Sequence, residues 1–244
     1  MEIEDAIIGY HAALSTQEAG AIKALHSALG MSAAEVQNAV DEHTQDKDTL
    51  PDGWWLALIP ILAALAATLR VRLYQIILFN LDAAAKGAVS ALQDALVAAG
   101  DDRPLPHVPE DRLISAAIVG PDGRSWPQWS AKTADDLFRR LSNDFRTAHT
   151  RADVSELVKR AQTLAGHALE STTVTALHSA ANRARLLAAG ADIRFSRWRY
   201  TAVMDNRTSQ ICQDLNGTEW RFNDPSAPFP PRHPNCRSIV VPLE

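Results

Sequence analysis

The chain has 244 residues, 46% of them apolar, and a formal net charge of −5, which suits one large folded domain or two small ones. Two cysteines exclude a disulfide scaffold and make a reducing compartment the default, and the acidic opening Met1-Glu-Ile-Glu-Asp5 is not that of a secretory leader. The charge is divided, −10 over residues 1–138 and +5 over residues 139–244, so the two halves are expected to meet different surroundings.

The first half reads as helices. Ser15-x-x-Glu18 and Ser32-x-x-Glu35 have the spacing of capping boxes, and Ala19, Ile22, Leu25 and Leu29 recur at helical intervals. Leu50-Pro-Asp-Gly53 is a turn. Trp54 to Leu69 then carries no charge over 16 residues, and Leu73 to Leu81 is again apolar. A membrane span needs about twenty such residues, and this run contains Pro60 and ends at Arg70 and Arg72. A core helix, or an interface helix in an assembly, is expected before a span. Gly100 ends the segment.

Residues 103–131 change character, with Pro104, Pro106, Pro109, Pro121, Pro127, Trp126 and Trp129. Leu113–Val119 reads as a short strand leading into the turn Gly120-Pro-Asp-Gly123. A domain boundary is expected near residue 110. Helices resume at Thr133-x-x-Asp136 and Asp153-x-x-Glu156 and stop at Gly190. The period then becomes two: Trp198, Tyr200, Ala202 and Met204 alternate with Arg197, Arg199 and Thr201, as in a half-buried strand. Asn216-Gly217 is a hairpin pair, and Ile239-Val-Val241 is a last strand. The expected fold is α+β and mainly α-helical. A helical, apolar assembly region (1–110) precedes a module (111–244) made of helices (133–189) and a small antiparallel sheet (193–244).

Chemistry concentrates in the tail. Cys212, His233 and Cys236 offer two thiols and an imidazole. Three readings stay open: a metal-free turn with the thiols as small buried hydrophobes, a Cys212–Cys236 disulfide, or a zinc site with Asp205 or water as fourth ligand. Asp205-Asn-Arg207-Thr208 reads as a strand-ending corner braced by Asp205 and Arg207. Arg194, Arg197 and Arg199 form a basic face for a polyanion or, preferably, an acidic partner; phosphate contacts from so few arginines bind weakly. No Gly-rich phosphate loop, His-Glu-x-x-His, Gly-x-Ser-x-Gly or deaminase signature occurs. The remaining histidines (11, 26, 43, 107, 149, 167, 178) suit solvated or core positions.

The string Asp205-x-Arg207-Thr208-x-x-x-Cys212-x-x-Leu215-x-Gly217, followed by Pro-Pro-x-His233-Pro-Asn235-Cys236-Arg237, resembles the C-terminal signature of the phage Mu F-like head morphogenesis family. Gly123-Arg-Ser-Trp126, the helices from Thr133 and Asp153, and Asn182-x-Ala184 before Gly190 follow the family's order, so the likeness spans roughly residues 113–241. This chain has Ser209 and Ser238 where many members carry cysteine. The resemblance implies a minor head protein of a tailed phage and no enzyme. Such a protein binds the portal protein at its vertex and assists head assembly, DNA packaging or ejection. It implies contact with the portal, and beyond it with the major capsid protein and further copies of itself; weak nucleic-acid contact is what the arginine face allows, and no membrane contact is expected from the apolar run. Its place is the capsid interior or portal vertex of the virion, and the host cytoplasm during assembly. The alternatives are a virion-packaged effector enzyme and a membrane-active ejection protein.

Overall fold

The computed structural model describes residues 3–44, 48–120 and 123–244. It is 69% helical, with six α-helices and one three-stranded antiparallel sheet near the C-terminus. The helices are α1 (Ile3–Thr44), α2 (Ile59–Ala98), α3 (Glu110–Ile118), α4 (Trp126–Asp144), α5 (Arg151–Gly190) and α6 (Gln210–Leu215). The strands are β1 (Arg197–Thr201), β2 (Glu219–Arg221) and β3 (Ile239–Leu243), in the order β2-β1-β3.

Two compact units emerge. One comprises Met1–Gly20, Leu78–Trp126 and Ser171–Glu244, and the other Ala21–Ile77 and Pro127–Glu170. Helices α1, α2 and α5 contribute to both, and residue 110 lies inside the second segment of the first unit.

Several local expectations are corrected. Ser15 and Ser32 do not start helices: α1 runs through both, Ser15 bonds back to the Ala12 carbonyl, and Ser32 is buried. No proline or turn chemistry interrupts the apolar spacing there, so propagation wins over the cap signal. Likewise Thr133 lies inside α4 and bonds the Trp129 carbonyl. The cap of α5 is Thr150 rather than Asp153. The Asp153 carboxylate accepts the Thr150 N–H at 2.8 Å, and the Thr150 hydroxyl accepts the Asp153 N–H at 3.1 Å, a reciprocal box. Leu113–Val119 is not a strand. Leu113 and Ala117 fall on the buried face of α3, and only Val119 bridges, to Ser125. Of the turn beyond it, Pro121 and Asp122 lie outside the described residues. The turn at Leu50–Gly53 is present, with Gly53 at φ 73°.

In the unit of residues 21–77 and 127–170, Trp54 anchors the interior. Its ring lies 5.4 Å from that of Phe145, and its indole N–H reaches the Ala148 carbonyl at 3.4 Å. Pro60 sits in the first turn of α2, where its missing N–H costs nothing. Trp54–Ala98 is long and apolar enough to cross a membrane, yet only 28% of its most apolar stretch is buried. Leu56, Ile59, Val71 and Tyr74 remain exposed.

The unit holding the sheet has two adjoining apolar clusters. Ile7, Leu92, Leu96, Phe195, Ile239 and Val241 form one, and Trp198, Tyr200, Cys212, Cys236 and Val240 the other. Beside them is a buried polar group. His11 stacks on His178 with centroids 4.5 Å apart, and Glu18 contacts His178. Burial first, then the charges of His178, Arg185 and Arg237, hold the His11 pKa well below its ordinary 6.5. Below that pH the unfolded chain binds a proton at His11 that the folded chain refuses, so acid favours unfolding. The expected loss is about 1.4 kcal/mol for each pH unit below about 6.5. Urea titrations at pH 7 and 5.5 check this, and His11→Phe should flatten the difference.

Candidate functional site

Helix α5 organises the tail through one stripe. Thr175, His178, Asn182 and Arg185 recur at three- and four-residue intervals and all four are buried, so they share one face of the helix. The Asn182 side chain donates to the Ser238 carbonyl at 2.8 Å and accepts the Val240 N–H at 3.1 Å. Arg185 donates to the Val240 carbonyl at 3.3 Å and to Asn182 Oδ1 at 3.2 Å. Strand β3 is an edge strand, and an unpaired edge exposes strong hydrogen-bonding groups. Here helix side chains take the place of a neighbouring strand. Thr175 continues the pattern, its hydroxyl accepting the Asn235 N–H at 2.8 Å, and Asn235 adopts φ 59°. Arg185 is fully buried, and no carboxylate pairs with it among the described residues. Its Nε and Nη2 lack acceptors among the described residues, and burial lowers its pKa to about 10.

The corner after β1 is tied across the sequence. Asp205 accepts the Arg207 N–H at 2.9 Å, and its own N–H donates to Thr208 Oγ1 at 2.9 Å. Arg237 grips both Asp205 oxygens, at 2.8 and 2.7 Å, a bidentate geometry. The brace is therefore Asp205–Arg237 rather than Asp205–Arg207; Arg207 supplies its backbone N–H. The Arg237 guanidinium first, then the Arg207 N–H, hold the Asp205 pKa low.

Asn216-Gly217 does not join two strands. Helix α6 lies between β1 and β2, and Gly217, at φ 81°, closes its end. Asn216 accepts the Ala202 N–H at 2.9 Å, and Gly217 donates to the Tyr200 carbonyl at 2.8 Å, so the pair extends the β1 ladder. Strand β1 buries Trp198 and Tyr200 as the alternation predicts. Met204 lies beyond its end and is exposed.

Behind the corner sit the thiols. Cys212 and Cys236 are free, and their sulfurs are 3.8 Å apart, so no disulfide joins them. His233 Nε2 lies 3.1 Å from Cys212 Sγ, and the three ligand atoms fall within 4.8 Å of one another. His233 Nδ1 lies 2.7 Å from the Pro234 carbonyl. A carbonyl only accepts, so Nδ1 carries the proton and the Nε2 lone pair faces the thiols. Burial raises the Cys212 thiol, but hydrogen bonds from the hydroxyls of Ser238 and Tyr200 act first among the groups that outweigh it, and its pKa falls to about 7. Two thiolates on a tetrahedral zinc ion, with Zn–S of about 2.3 Å, lie about 3.8 Å apart, so the sulfur spacing fits that metal. Asp205 is committed to Arg237 and does not complete the set.

The three sequence-predicted arginines each meet a carboxylate. Arg194 pairs with Asp192 and Asp101, Arg197 with Glu219, and Arg199 with Glu4 and Glu219. The face is electrically balanced rather than a bare cationic patch. Arg194 also lies in the turn before β1, not on the strand.

The corner, the thiol cluster and the α5 stripe all fall within one stretch: residues 138–241 match the family described as phage Mu protein F like protein. This region is phage Mu F-like. No curated protein and no solved structure matches the chain. The family is one of phage head morphogenesis, which speaks for a structural role rather than an enzymatic one. Thr175 and Arg185 are the site residues that motif reading missed. Their signal was polar side chains recurring at core spacing in an otherwise Ala- and Leu-rich helix.

Proposed function

We propose that the protein is a minor head component of a tailed bacteriophage, binding at the portal vertex and assisting head assembly or DNA packaging and ejection. The family match over residues 138–241 carries this reading. Two features support it. The tail is pinned to α5 by buried hydrogen bonds and an ion-paired corner, which suits a rigid docking head. Leu56, just before α2, and Ile59, Val71 and Tyr74 within it are exposed apolar side chains, the kind of surface through which an assembly protein can meet another macromolecule.

The module would hold one zinc ion through Cys212, His233 and Cys236, with a water or hydroxyl in the fourth position. Bound there, zinc would act as a cross-link between α6 and the segment before β3, with no reaction assigned to it.

The test is co-expression with the portal protein of the same phage or prophage, pull-down of either partner, and mass spectrometry of purified virions. Co-purification and a fixed ratio to portal are expected. No co-purification together with absence from virions would overturn the reading. Flotation with liposomes while portal pull-down fails would instead favour a membrane-active ejection protein, the reading that the composition of Trp54–Ala98 favours.

A further inference from the structure

Near the end of α5 the sheet-bearing unit has an open cleft of about 500 Å³. Its walls are apolar: Ala116 from α3, Leu186 and Leu187 from α5, and Phe222 and Phe229 from the tail. That volume falls within the range of ligand-binding clefts. One charged side chain lines it, Arg183. The Arg183 guanidinium lies 5.1 Å above the centre of the Phe229 ring. Its Nε is buried without an acceptor, and no carboxylate pairs with it among the described residues. Burial pulls its pKa down.

Arg183 thus differs from the arginines of the neighbouring face, which all carry their own counter-charges. A guanidinium fixed against an aromatic ring presents a rigid fork of donors. A half-buried cation without a counter-charge among the described residues, at the edge of an apolar cleft, is complementary to a carboxylate on an apolar body.

We propose that this cleft is a docking site for an acidic, apolar segment of a partner protein, with one Asp or Glu side chain meeting Arg183 and the flanking apolar side chains filling the cleft. Nucleic acid fits poorly: phosphate recognition draws on several cations along the backbone, and this cleft offers one among aromatic and aliphatic walls. The inference rests on the head-component reading only for the partner's identity, because the recognition chemistry belongs to the cleft itself.

The experiment uses the full chain and two labelled peptides, acetyl-Leu-Phe-Asp-Leu-Phe-amide and its Asn counterpart, followed by fluorescence anisotropy. The Asp peptide should bind about tenfold more tightly, the effect of one charge-assisted hydrogen bond, and the difference should shrink with salt. Arg183→Met should abolish that preference while leaving binding of the Asn peptide and the melting temperature unchanged. Leu187→Asp should weaken both peptides. Equal binding of the two peptides, a preference that survives Arg183→Met, or no binding of either would overturn the proposal. So would displacement of the Asp peptide by a duplex DNA oligomer, or failure of excess unlabelled Asp peptide to displace the labelled one. Portal pull-down reports on the head-component reading independently, since it can fail while the peptide preference holds.

Discussion

Asn182→Ala should destabilise the protein by about 2–4 kcal/mol, because each buried group left without its partner costs about 1–3 kcal/mol. The substitution removes the acceptor of the Val240 N–H and the donor to the Ser238 carbonyl, and it strips Arg185 of one of its two acceptors. All these groups are buried, so water does not replace what is lost. Asn182→Asp is the informative companion. It keeps an acceptor for Val240 and places a negative charge beside Arg185, while setting a carboxylate oxygen against the Ser238 carbonyl. It should cost less than the alanine. Urea unfolding followed by circular dichroism measures both. An Asn182→Ala variant that melts like wild type would mean that helix side chains do not secure the β3 edge.

The second large effect concerns the thiols. If Cys212, His233 and Cys236 bind zinc, the purified protein should retain about one equivalent per chain, following from a three-ligand structural site. Stripping the ion with a chelator should lower stability by about 4 kcal/mol when free zinc had stood at about a thousand times its dissociation constant. Cobalt should bind in its place and show thiolate-to-metal charge-transfer absorption, lost in Cys236→Ser. Ser209 and Ser238 add weight to the comparison, because both occupy positions near Cys212. The Ser209 carbonyl accepts the Cys212 N–H at 3.0 Å, and Ser238 bonds its thiol. Ser238→Cys should therefore raise zinc affinity by supplying a third thiolate. No bound metal, no cobalt spectrum and wild-type melting of both Cys→Ser variants would leave the cluster as a packed turn.

What could be read beforehand followed from strong local signals. The switch from a period of 3.6 to 2 after Gly190 located β1, and Ile239-Val-Val241 located β3, because buried strands select branched apolar residues. The grouping of Cys212, His233 and Cys236 was legible because a thiol and an imidazole three residues apart meet readily. Helix starts were the weakest inference. Ser15, Ser32 and Thr133 carry cap chemistry that long-range packing overrode, whereas Thr150 and Asp153 form a true box at a position where the helix has somewhere to begin. Leu113–Val119 failed for a related reason: a short apolar run fits helix and strand equally until its partners are known. The partners of charged residues were not legible. Nothing local links Asp205 to Arg237 across 32 positions or Arg199 to Glu4 across 195. Charge counting therefore suggested a cationic face that the fold neutralises, and passed over Arg183, which it leaves unmatched.

The face of α5 that carries Thr175, Asn182 and Arg185 also sets what can be exchanged between relatives. The tail's cysteines, histidine and Asp205–Arg237 brace look like a self-contained cassette when written as a string. Their edge strand, however, is completed by a helix some sixty positions upstream. The tail is thus not portable without that helix, and its sheet also packs on Ile7, Leu92 and Leu96. Recombination that swaps a tail without its matching helix should yield a chimera whose last strand has no edge partner.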